Sequence, residues 1–279
     1  MKSGLGPKEV LTAHNLPVIA VLPGVGQNLQ DPLLFTVAQP AKVPSGASLM
    51  ADRRQAGQIL SEYLNDARGP YSSAGAYIAF EKVPNELRSG FTNQTMQALS
   101  KLPSDWPEVE LVANSGANPQ GGSLAICTGV LSAPLSTGNV SINSSDPSQP
   151  PVIDLGWFTN PADGEVAVAI VKRCRQALAA IPEVIADEEL TPGSNITSDS
   201  DILEYLRHTV APIYHGSATT KMGRRSDNLA VVDSQARVIG VEGLRVVGVS
   251  SFPFAIPGHP QSAVYAFAEK VVDDMIRDG

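Results

Sequence analysis

The chain has 279 residues, of which 43% are apolar and 17% charged, and it carries a net charge of −8. This composition is typical of a folded protein with a sizeable core and excludes a wholly disordered chain. The acidic balance, without any cluster of lysine and arginine, argues against a nucleic-acid partner, because phosphate binding needs such a cluster.

The sequence also limits the compartment and the kinds of site. It has no run of about 18 apolar residues, so we predict no membrane-spanning helix and no membrane partner. The first residues, MKSGLGPKEVL, lack the apolar core of a signal peptide, and we expect a cytoplasmic protein. Cys127 and Cys174 lie far apart in the sequence. Their spacing suits neither a metal site nor a disulfide framework, so we expect two buried thiols and no metal.

The first predicted elements lie in residues 1–34. PKEVLTAH, at 7–14, predicts a short helix with Pro7 in its first turn. NLPVIAVLP follows with five consecutive apolar residues, Val18 to Leu22, which is typical of a strand buried on both faces. GVGQNLQDP then predicts a glycine-rich loop.

The middle section, residues 35–211, mixes both kinds of element. Strands are predicted for AGAYIAFEKV, VELVANSG, SLAICTGVLSA and NVSINSS, which are separated by turn residues. Helices are predicted for ILSEYLNDARG, which ends at Gly69, for GEVAVAIVKRCRQALAAI and for SDSDILEYLRHTV. The second helix has Asp163 as a possible cap and an apolar face of Val166, Ile170, Cys174 and Leu178. Strands in a row with few helices between them indicate an antiparallel sheet and the α+β class.

The last section, residues 212–279, holds two histidines among small residues and tight turns. They lie in PIYHGSATTKMG (His215) and FPFAIPGHPQSAVY (His259). Between them, LAVVDSQARVIGVEGLRVVGVSSFP predicts two short β segments around a turn at Gly243. SAVYAFAEKVVDDMIRDG predicts a final helix whose apolar face is Val264, Phe267, Ala268, Val271, Val272 and Met275.

Several of these stretches, in this order, resemble one family. They are SGLGP, LPGVGQNLQD, GPYSSAGAYIAF, SINSSDPSQPPVIDLGWFTNPAD, YHGSATTKMG, VVDSQARVIGVEGLRVV and GHPQSAVYAFAEKVVDDMI. Together they resemble the C-terminal half of glucose–methanol–choline (GMC) oxidoreductases, of the fungal type that includes aryl-alcohol oxidase and versicolorin B synthase. The resemblance implies that residues 35–211 form a substrate domain with an antiparallel sheet and flanking helices. It also implies that residues 1–34 and 212–279 are a remnant of the FAD domain.

The resemblance gives roles to the histidines and their neighbours. His215 is implied as the general base on a substrate hydroxyl, and His259 as its hydrogen-bonding assistant. Imidazole suits both roles because its ordinary pKa lies near neutrality. Tyr214 and Gln261, next to the histidines, are candidate substrate contacts. Arg224 follows the first histidine loop and is a candidate contact for an anionic substrate group.

Differences from the family concern the cofactor. The family's N-terminal half carries the G-x-G-x-x-G unit that holds the FAD pyrophosphate, and this chain contains no such motif. Gly248 stands where the family has an aspartate in contact with the cofactor. The remaining implied FAD-contact positions are Asn28, Asp31 and Pro260. We therefore expect no cofactor on this chain alone, and FAD only if the N-terminal half is supplied.

Three functions are open at this stage. The preferred one is flavin-independent acid–base chemistry by the histidine pair on a hydrophobic secondary metabolite: an isomerisation, cyclisation, dehydration or pericyclic step. Ring closure without net redox change by the family's versicolorin B synthases is a precedent. The second is a subunit or fragment of an FAD-dependent alcohol oxidase or dehydrogenase, and the third is a non-catalytic binding protein. The expected partners are a hydrophobic small molecule and either a second copy in a homodimer or a chain that carries the N-terminal half.

Overall fold

The computed structural model describes residues 1–73 and 75–278 of the chain. Its helices are α1 (Lys8–Ala13), α2 (Gly46–Ala51), α3 (Arg53–Asp66), α4 (Asn93–Leu99), α5 (Pro161–Ala179), α6 (Asp199–Thr209) and α7 (Gln261–Asp278). Its strands are β1 (Leu5–Gly6), β2 (Ala20–Val21), β3 (Gln27–Leu29), β4 (Leu33–Ala41), β5 (Ala76–Glu81), β6 (Val109–Ala117), β7 (Ser123–Leu131), β8 (Gly138–Ser141), β9 (Val152–Asp154) and β10 (Ala211–Pro212).

The chain forms two compact units, each built from separated stretches of sequence. We call them the histidine unit, made of residues 1–32, 133–163 and 212–279, and the sheet unit, made of residues 33–132 and 164–211. Residues 133–163 group with the terminal segments, although the sequence analysis placed them in the middle domain. The reason is pairing: β8 pairs with β3 on one side and with β9 on the other, which ties this stretch to the glycine-rich segment near the N-terminus.

The sheet unit contains a five-stranded sheet in the order β10-β4-β7-β6-β5. The long pairs β4–β7, β6–β7 and β5–β6 are all antiparallel, which confirms the predicted antiparallel sheet and the α+β class. Alternate residues of β7 are buried, as expected for a strand that packs one face on a core. The edge strand β5 differs, because Ala76 through Phe80 are all exposed.

Helix α5 lies very close to β7 because of one glycine. The predicted apolar face of α5 is confirmed: Val166, Ile170, Cys174 and Leu178 are all buried. A Cβ atom added at Gly129 on β7 would lie 2.5 Å from Cγ2 of Ile170 and 2.9 Å from the ring of Phe35. Only glycine therefore permits this approach of helix to strand.

The sequence suggested Asp163 as the cap of α5. In the structure Asp163 is instead a residue of the first turn of that helix. Its carboxylate accepts hydrogen bonds from the backbone N–H groups of Leu135, at 2.9 Å, and Ser136, at 2.7 Å. Burial raises the pKa of this carboxyl, and the hydrogen bonds act in the opposite direction. Asp163 thus fixes the start of the 135–160 stretch.

The histidine unit has a small core and short strands. Strands β1 and β2 pair in parallel over two residues, and a core cluster is formed by Leu22, Val231, Val232 and Val238. The prediction of a strand buried on both faces at 18–22 is wrong: Val18, Ile19 and Val21 are 43%, 69% and 52% exposed. The two predicted β segments around Gly243 form isolated bridges such as Val232 with Val238, instead of continuous strands.

Helix α7 buries a narrower stripe than predicted. Val271 is buried, but Val272 and Met275 are half exposed, and Ile276 is 75% exposed. Within the described residues, no helix combines the length and apolarity needed to cross a membrane. The homodimer, or a partner chain that covers such apolar side chains, stays a prediction.

Replacing Gly129 with alanine tests the close approach of α5 and β7. We expect Gly129→Ala to lower the free energy of unfolding by about 1–3 kcal/mol, because the new methyl group overlaps Ile170 and Phe35. Gly57→Ala is the matched control: a Cβ there meets nothing within 4 Å in the middle of α3, and alanine should stabilise the protein by roughly 0.5–1 kcal/mol. Urea unfolding of both variants measures the difference, and equal effects would contradict the packing described.

Candidate active site

Two loops of the histidine unit bring His215 and His259 together. His215 lies just after β10, and His259 lies two residues before α7. Nε2 of His215 and Nδ1 of His259 are 2.9 Å apart, which is hydrogen-bonding distance. The rings meet edge to face, with centroids 4.9 Å apart and an interplanar angle of 76°. The pairing expected from the family resemblance is present in the geometry.

This hydrogen bond restricts how protons are placed on the pair. One of the two nitrogens must donate and the other must accept, so the accepting nitrogen carries no proton. The bond also joins the two rings into a path along which a proton can pass from one imidazole to the other. The arrangement can therefore take up a proton from one bound atom and return it to another, which is the task of an acid–base pair.

The backbone of His215 is held on both sides. Its N–H donates to Oδ1 of Asp31 at 2.9 Å, and its carbonyl accepts from the hydroxyl of Ser217 at 2.7 Å. The preceding residue, Tyr214, has a φ of 63°, which is uncommon for a residue with a side chain. Such a conformation persists where surrounding contacts fix it, and the anchors at Asp31 and Ser217 do so here.

Residues 28–32, which we call the anchor segment, connect to both histidine loops. Gln30 and Ser217 exchange two backbone hydrogen bonds. The side-chain oxygen of Gln30 accepts from the N–H of Ala255 at 2.7 Å, and the amide of Asn28 donates to the carbonyl of Pro253 at 3.3 Å. The anchor segment thus contacts both the loop that contains His215 and the loop that leads to His259.

The sequence analysis missed this role of the anchor segment. It gave Asn28 and Asp31 to FAD contacts, whereas the structure shows both side chains bonded to the protein's own backbone. His215 is 184 positions away from Asp31. No local pattern in the sequence pairs residues at such a separation, and the one available signal is a carboxylate inside a glycine-rich segment.

Asp31 is a buried carboxyl group, 7% exposed. Burial raises its pKa, while the hydrogen bond from the N–H of His215 and the nearby imidazole act in the opposite direction. The indole N–H of Trp157 donates to the backbone carbonyl of Asp31 at 2.9 Å, which holds the backbone of this residue in place.

A cavity of about 450 Å³ lies beside the histidine pair. Its lining consists of Tyr214, His215, Gly216, Val249, His259, Pro260, Gln261, Val264 and Tyr265. Both predicted substrate contacts next to the histidines, Tyr214 and Gln261, are in this lining. The sequence analysis missed Tyr265, which is 67% exposed and projects from the first turns of α7.

Arg224 is not among the residues that line this cavity. Its neighbour Arg225 belongs to a different cleft of the same unit, together with Arg237 and Arg245. The substrate role predicted for Arg224 has no geometric support at the histidines. Among the described residues, no three potential metal ligands come together either.

The positions implied for FAD fit the cofactor in part. Gly248 precedes the cavity residue Val249, and a Cβ there would meet nothing within 4 Å, so packing leaves room for the family's aspartate. Pro260 lines the cavity. The open space at Gly248 and the position of Pro260 are compatible with a flavin ring beside the histidines. The chain itself contains no G-x-G-x-x-G loop for the pyrophosphate, so residues outside this chain would have to hold that part.

Comparisons with known proteins point to one family. Residues 134–268 match the family model described as GMC oxidoreductase. The chain is 42% identical to dehydrogenase pkfF of Emericella nidulans, with 100% of this chain and 47% of that protein covered. It is 39% identical to versicolorin B synthase of Aspergillus parasiticus, with 99% and 44% covered.

A solved structure shares the fold. A fungal aryl-alcohol oxidase superimposes with a TM-score of 0.79 at 28% identity, over 99% of this chain and 52% of that protein. The chain therefore spans about half the length of the relatives that it matches.

Two substitutions at Asp31 separate its hydrogen bond from its charge. Asp31→Ala leaves the N–H of His215 without its acceptor and should lower the free energy of unfolding by about 1–3 kcal/mol. Asp31→Asn keeps an oxygen acceptor and should cost less.

The pH dependence gives an independent readout. Because the folded-state pKa of Asp31 is raised, its contribution to stability is fully present below the unfolded-state pKa and is lost as pH rises through the folded-state pKa. The unfolding free energy of the wild type, compared with Asp31→Asn, should therefore fall as pH rises from the acid side towards neutrality. A difference between the two proteins that does not change with pH would contradict a raised pKa.

Proposed function

Because the chain belongs to the GMC oxidoreductase family, we propose that His215 and His259 are the acid–base centre of an enzyme. Its substrate is a small, largely apolar metabolite that presents a hydroxyl or carbonyl group. The observation that carries the proposal is the 2.9 Å contact between Nε2 of His215 and Nδ1 of His259 at the edge of a cavity. Two imidazoles in this contact can exchange a proton near neutral pH at little cost.

The substrate class follows from the cavity lining. Val249, Pro260 and Val264 offer apolar contacts, and the two exposed tyrosine rings, Tyr214 and Tyr265, offer flat surfaces for an aromatic or polycyclic compound. Gln261 can hydrogen-bond to a substrate oxygen in either direction. A volume of about 450 Å³ lies within the usual range for small-molecule sites.

In the first candidate reaction, the pair works without a flavin. One imidazole removes a proton from a substrate hydroxyl or from a carbon next to a carbonyl. The proton passes through the contact between Nε2 and Nδ1, and the other imidazole returns a proton elsewhere on the substrate. This balances an isomerisation, a ring closure or, with loss of water, a dehydration. The similarity to a protein named versicolorin B synthase supports a bond-forming reaction such as the ring closure.

The second candidate is alcohol oxidation, and a specific observation favours it. Relatives and structural matches carry the names dehydrogenase and aryl-alcohol oxidase, and the chain spans about half of their length. FAD, when bound, supplies the hydride acceptor for such a reaction. In this case the residues of this chain would orient the alcohol against Tyr214 and Tyr265 and accept its hydroxyl proton on the histidine pair. The same two histidines thus serve both candidates.

Replacing each histidine tests the shared acid–base role. We expect His215→Ala and His259→Ala each to lower turnover by about 10²–10⁴-fold, the usual contribution of a positioned acid or base. His208→Ala is the control, since His208 is exposed on α6 and bonded to Glu204, and it should leave turnover unchanged. Turnover is measured by mass spectrometry on a panel of hydroxylated aromatic and polyketide-type compounds. Incorporation of solvent deuterium into the product reports proton transfer directly, and full deuterium incorporation by both variants would exclude the pair.

A visible absorption spectrum separates the two reactions. After a soak with excess FAD and desalting, we expect the chain alone to show no flavin bands. The phosphate-binding loop is not part of it, and loss of four charge-assisted hydrogen bonds weakens binding by roughly ten-thousandfold. Gly248→Asp, which restores the family's residue, should not change this result. Retained flavin bands would contradict the flavin-independent candidate and favour alcohol oxidation.

A further inference from the structure

The two cysteines of the chain meet in the core of the sheet unit. The Sγ atoms of Cys127 and Cys174 are 2.9 Å apart. Both side chains are buried, with 3% and 0% exposure, and both are free thiols. The expectation of two buried thiols is confirmed, but the sequence spacing gave no sign that they would be in contact.

Their meeting follows from the close packing of α5 on β7. Cys127 and Gly129 are two positions apart on β7, so they face the same side of the sheet. Ile170 and Cys174 are four positions apart on α5, so they lie on the same side of the helix, one turn from each other. Gly129 admits Ile170 at a distance that no other residue allows. Cys174 lies one helical turn after Ile170, so the close packing of α5 on β7 also places Cys174 in contact with Cys127.

The two sulfurs have different chemical characters. The two thiols share a hydrogen bond, and this contact lowers the pKa of Cys127, while burial opposes the shift. The same contact, together with burial, raises the pKa of Cys174. Arg173 donates two hydrogen bonds to Glu81 nearby. Its guanidinium acts to lower the pKa of Cys127, and the carboxylate of Glu81 acts to raise it. Cys127 is thus the sulfur that more readily becomes a thiolate, which is the nucleophilic form, and Cys174 is the one that keeps its proton.

We propose that Cys127 and Cys174 are a covalent modification site that forms an intramolecular disulfide when the protein meets a peroxide. The sulfur of Cys127 attacks one peroxide oxygen; the O–O bond breaks, an S–O bond forms and one water leaves. The sulfur of Cys174 then attacks that of Cys127; the S–S bond forms, the S–O bond breaks and a second water leaves with the thiol proton. Two thiols lose two electrons in total, and hydrogen peroxide is reduced to two molecules of water.

The disulfide would join β7 directly to α5. It closes a loop of the chain between residues 127 and 174, and such a closure stabilises the folded state relative to the unfolded chain. Because the link lies in the sheet unit and uses neither histidine, the inference does not depend on the proposed function. The oxidant must be small, because neighbouring residues bury both sulfurs and a larger oxidant could not reach them.

The first test counts thiols after exposure to hydrogen peroxide. The chain is quenched in acid, denatured and alkylated, and the labels are counted by intact mass spectrometry. We expect two labels on the untreated chain, none on the treated chain, and two again after dithiothreitol. Non-reducing peptide mapping should find the peptides of Cys127 and Cys174 joined. Cys174→Ser is the matched control, in which Cys127 should instead gain oxygen atoms or remain alkylatable.

The second test does not depend on whether the oxidant can reach the two buried sulfurs in the folded protein. The chain is refolded from denaturant in a buffer of reduced and oxidised glutathione, which exposes both thiols before the core closes. We expect the same linked peptides, and a thermal midpoint about 5 °C or more above that of the reduced protein. Cys127→Ser/Cys174→Ser should show one midpoint in both buffers. Two alkylatable thiols in both tests, or oxygen added to each cysteine without a link, would overturn the proposal.

Discussion

The hydrogen bonds of the anchor segment, residues 28–32, connect the two histidine loops of the candidate site. The two imidazole rings lie on loops 44 positions apart in sequence, so chain connectivity alone does not bring them together. The anchor segment links the loops by hydrogen bonds: Asp31 and Gln30 bind the loop of His215, and Gln30 and Asn28 bind the loop that leads to His259. A buried carboxyl group is costly to desolvate, and at Asp31 the hydrogen bond accepted from the N–H of His215 offsets part of this cost.

The two units rely on different kinds of stabilisation. The sheet unit has long antiparallel pairs and a helix whose apolar face is fully buried, so its energetics are those of ordinary core packing. The histidine unit has two- to four-residue strands, isolated bridges and a small core cluster. Its loops are ordered mainly by specific hydrogen bonds. Functional loops commonly have this character, since they must present polar groups at fixed positions and cannot bury them in an apolar core.

Sequence reasoning succeeded where periodicity is strong. The apolar repeat of α5 and the alternation in β6 and β7 predicted their type and approximate extent, because burial of one face determines both patterns. It failed at Val18–Leu22, where a continuous apolar run indicated a buried strand but only Leu22 is buried. In 229–253 it was right only in part, because the two predicted β segments form isolated bridges instead of continuous strands.

The candidate site shows the same pattern: features that depend on neighbouring residues were predicted from the sequence, and contacts between distant residues were not. Tyr214 and Gln261 were found because they adjoin the histidines, and the histidine pair was found through a resemblance to known motifs. The anchor segment's role was missed because it consists of contacts between distant residues. The same holds for the contact of Cys127 with Cys174, whose spacing matches no motif even though their sulfurs are neighbours.

The division of the histidine unit into three separated stretches also constrains the order in which the protein assembles on the ribosome. Residues 1–32 are synthesised before the sheet unit, yet their partners in 212–279 are synthesised only after it. The sheet unit can complete its core once residue 211 is available, whereas the anchor segment must wait for both histidine loops. Long-range closure of this kind is slow, since chain entropy must be lost before the contacts form. The contact between His215 and His259 is consequently among the last features of the chain to form.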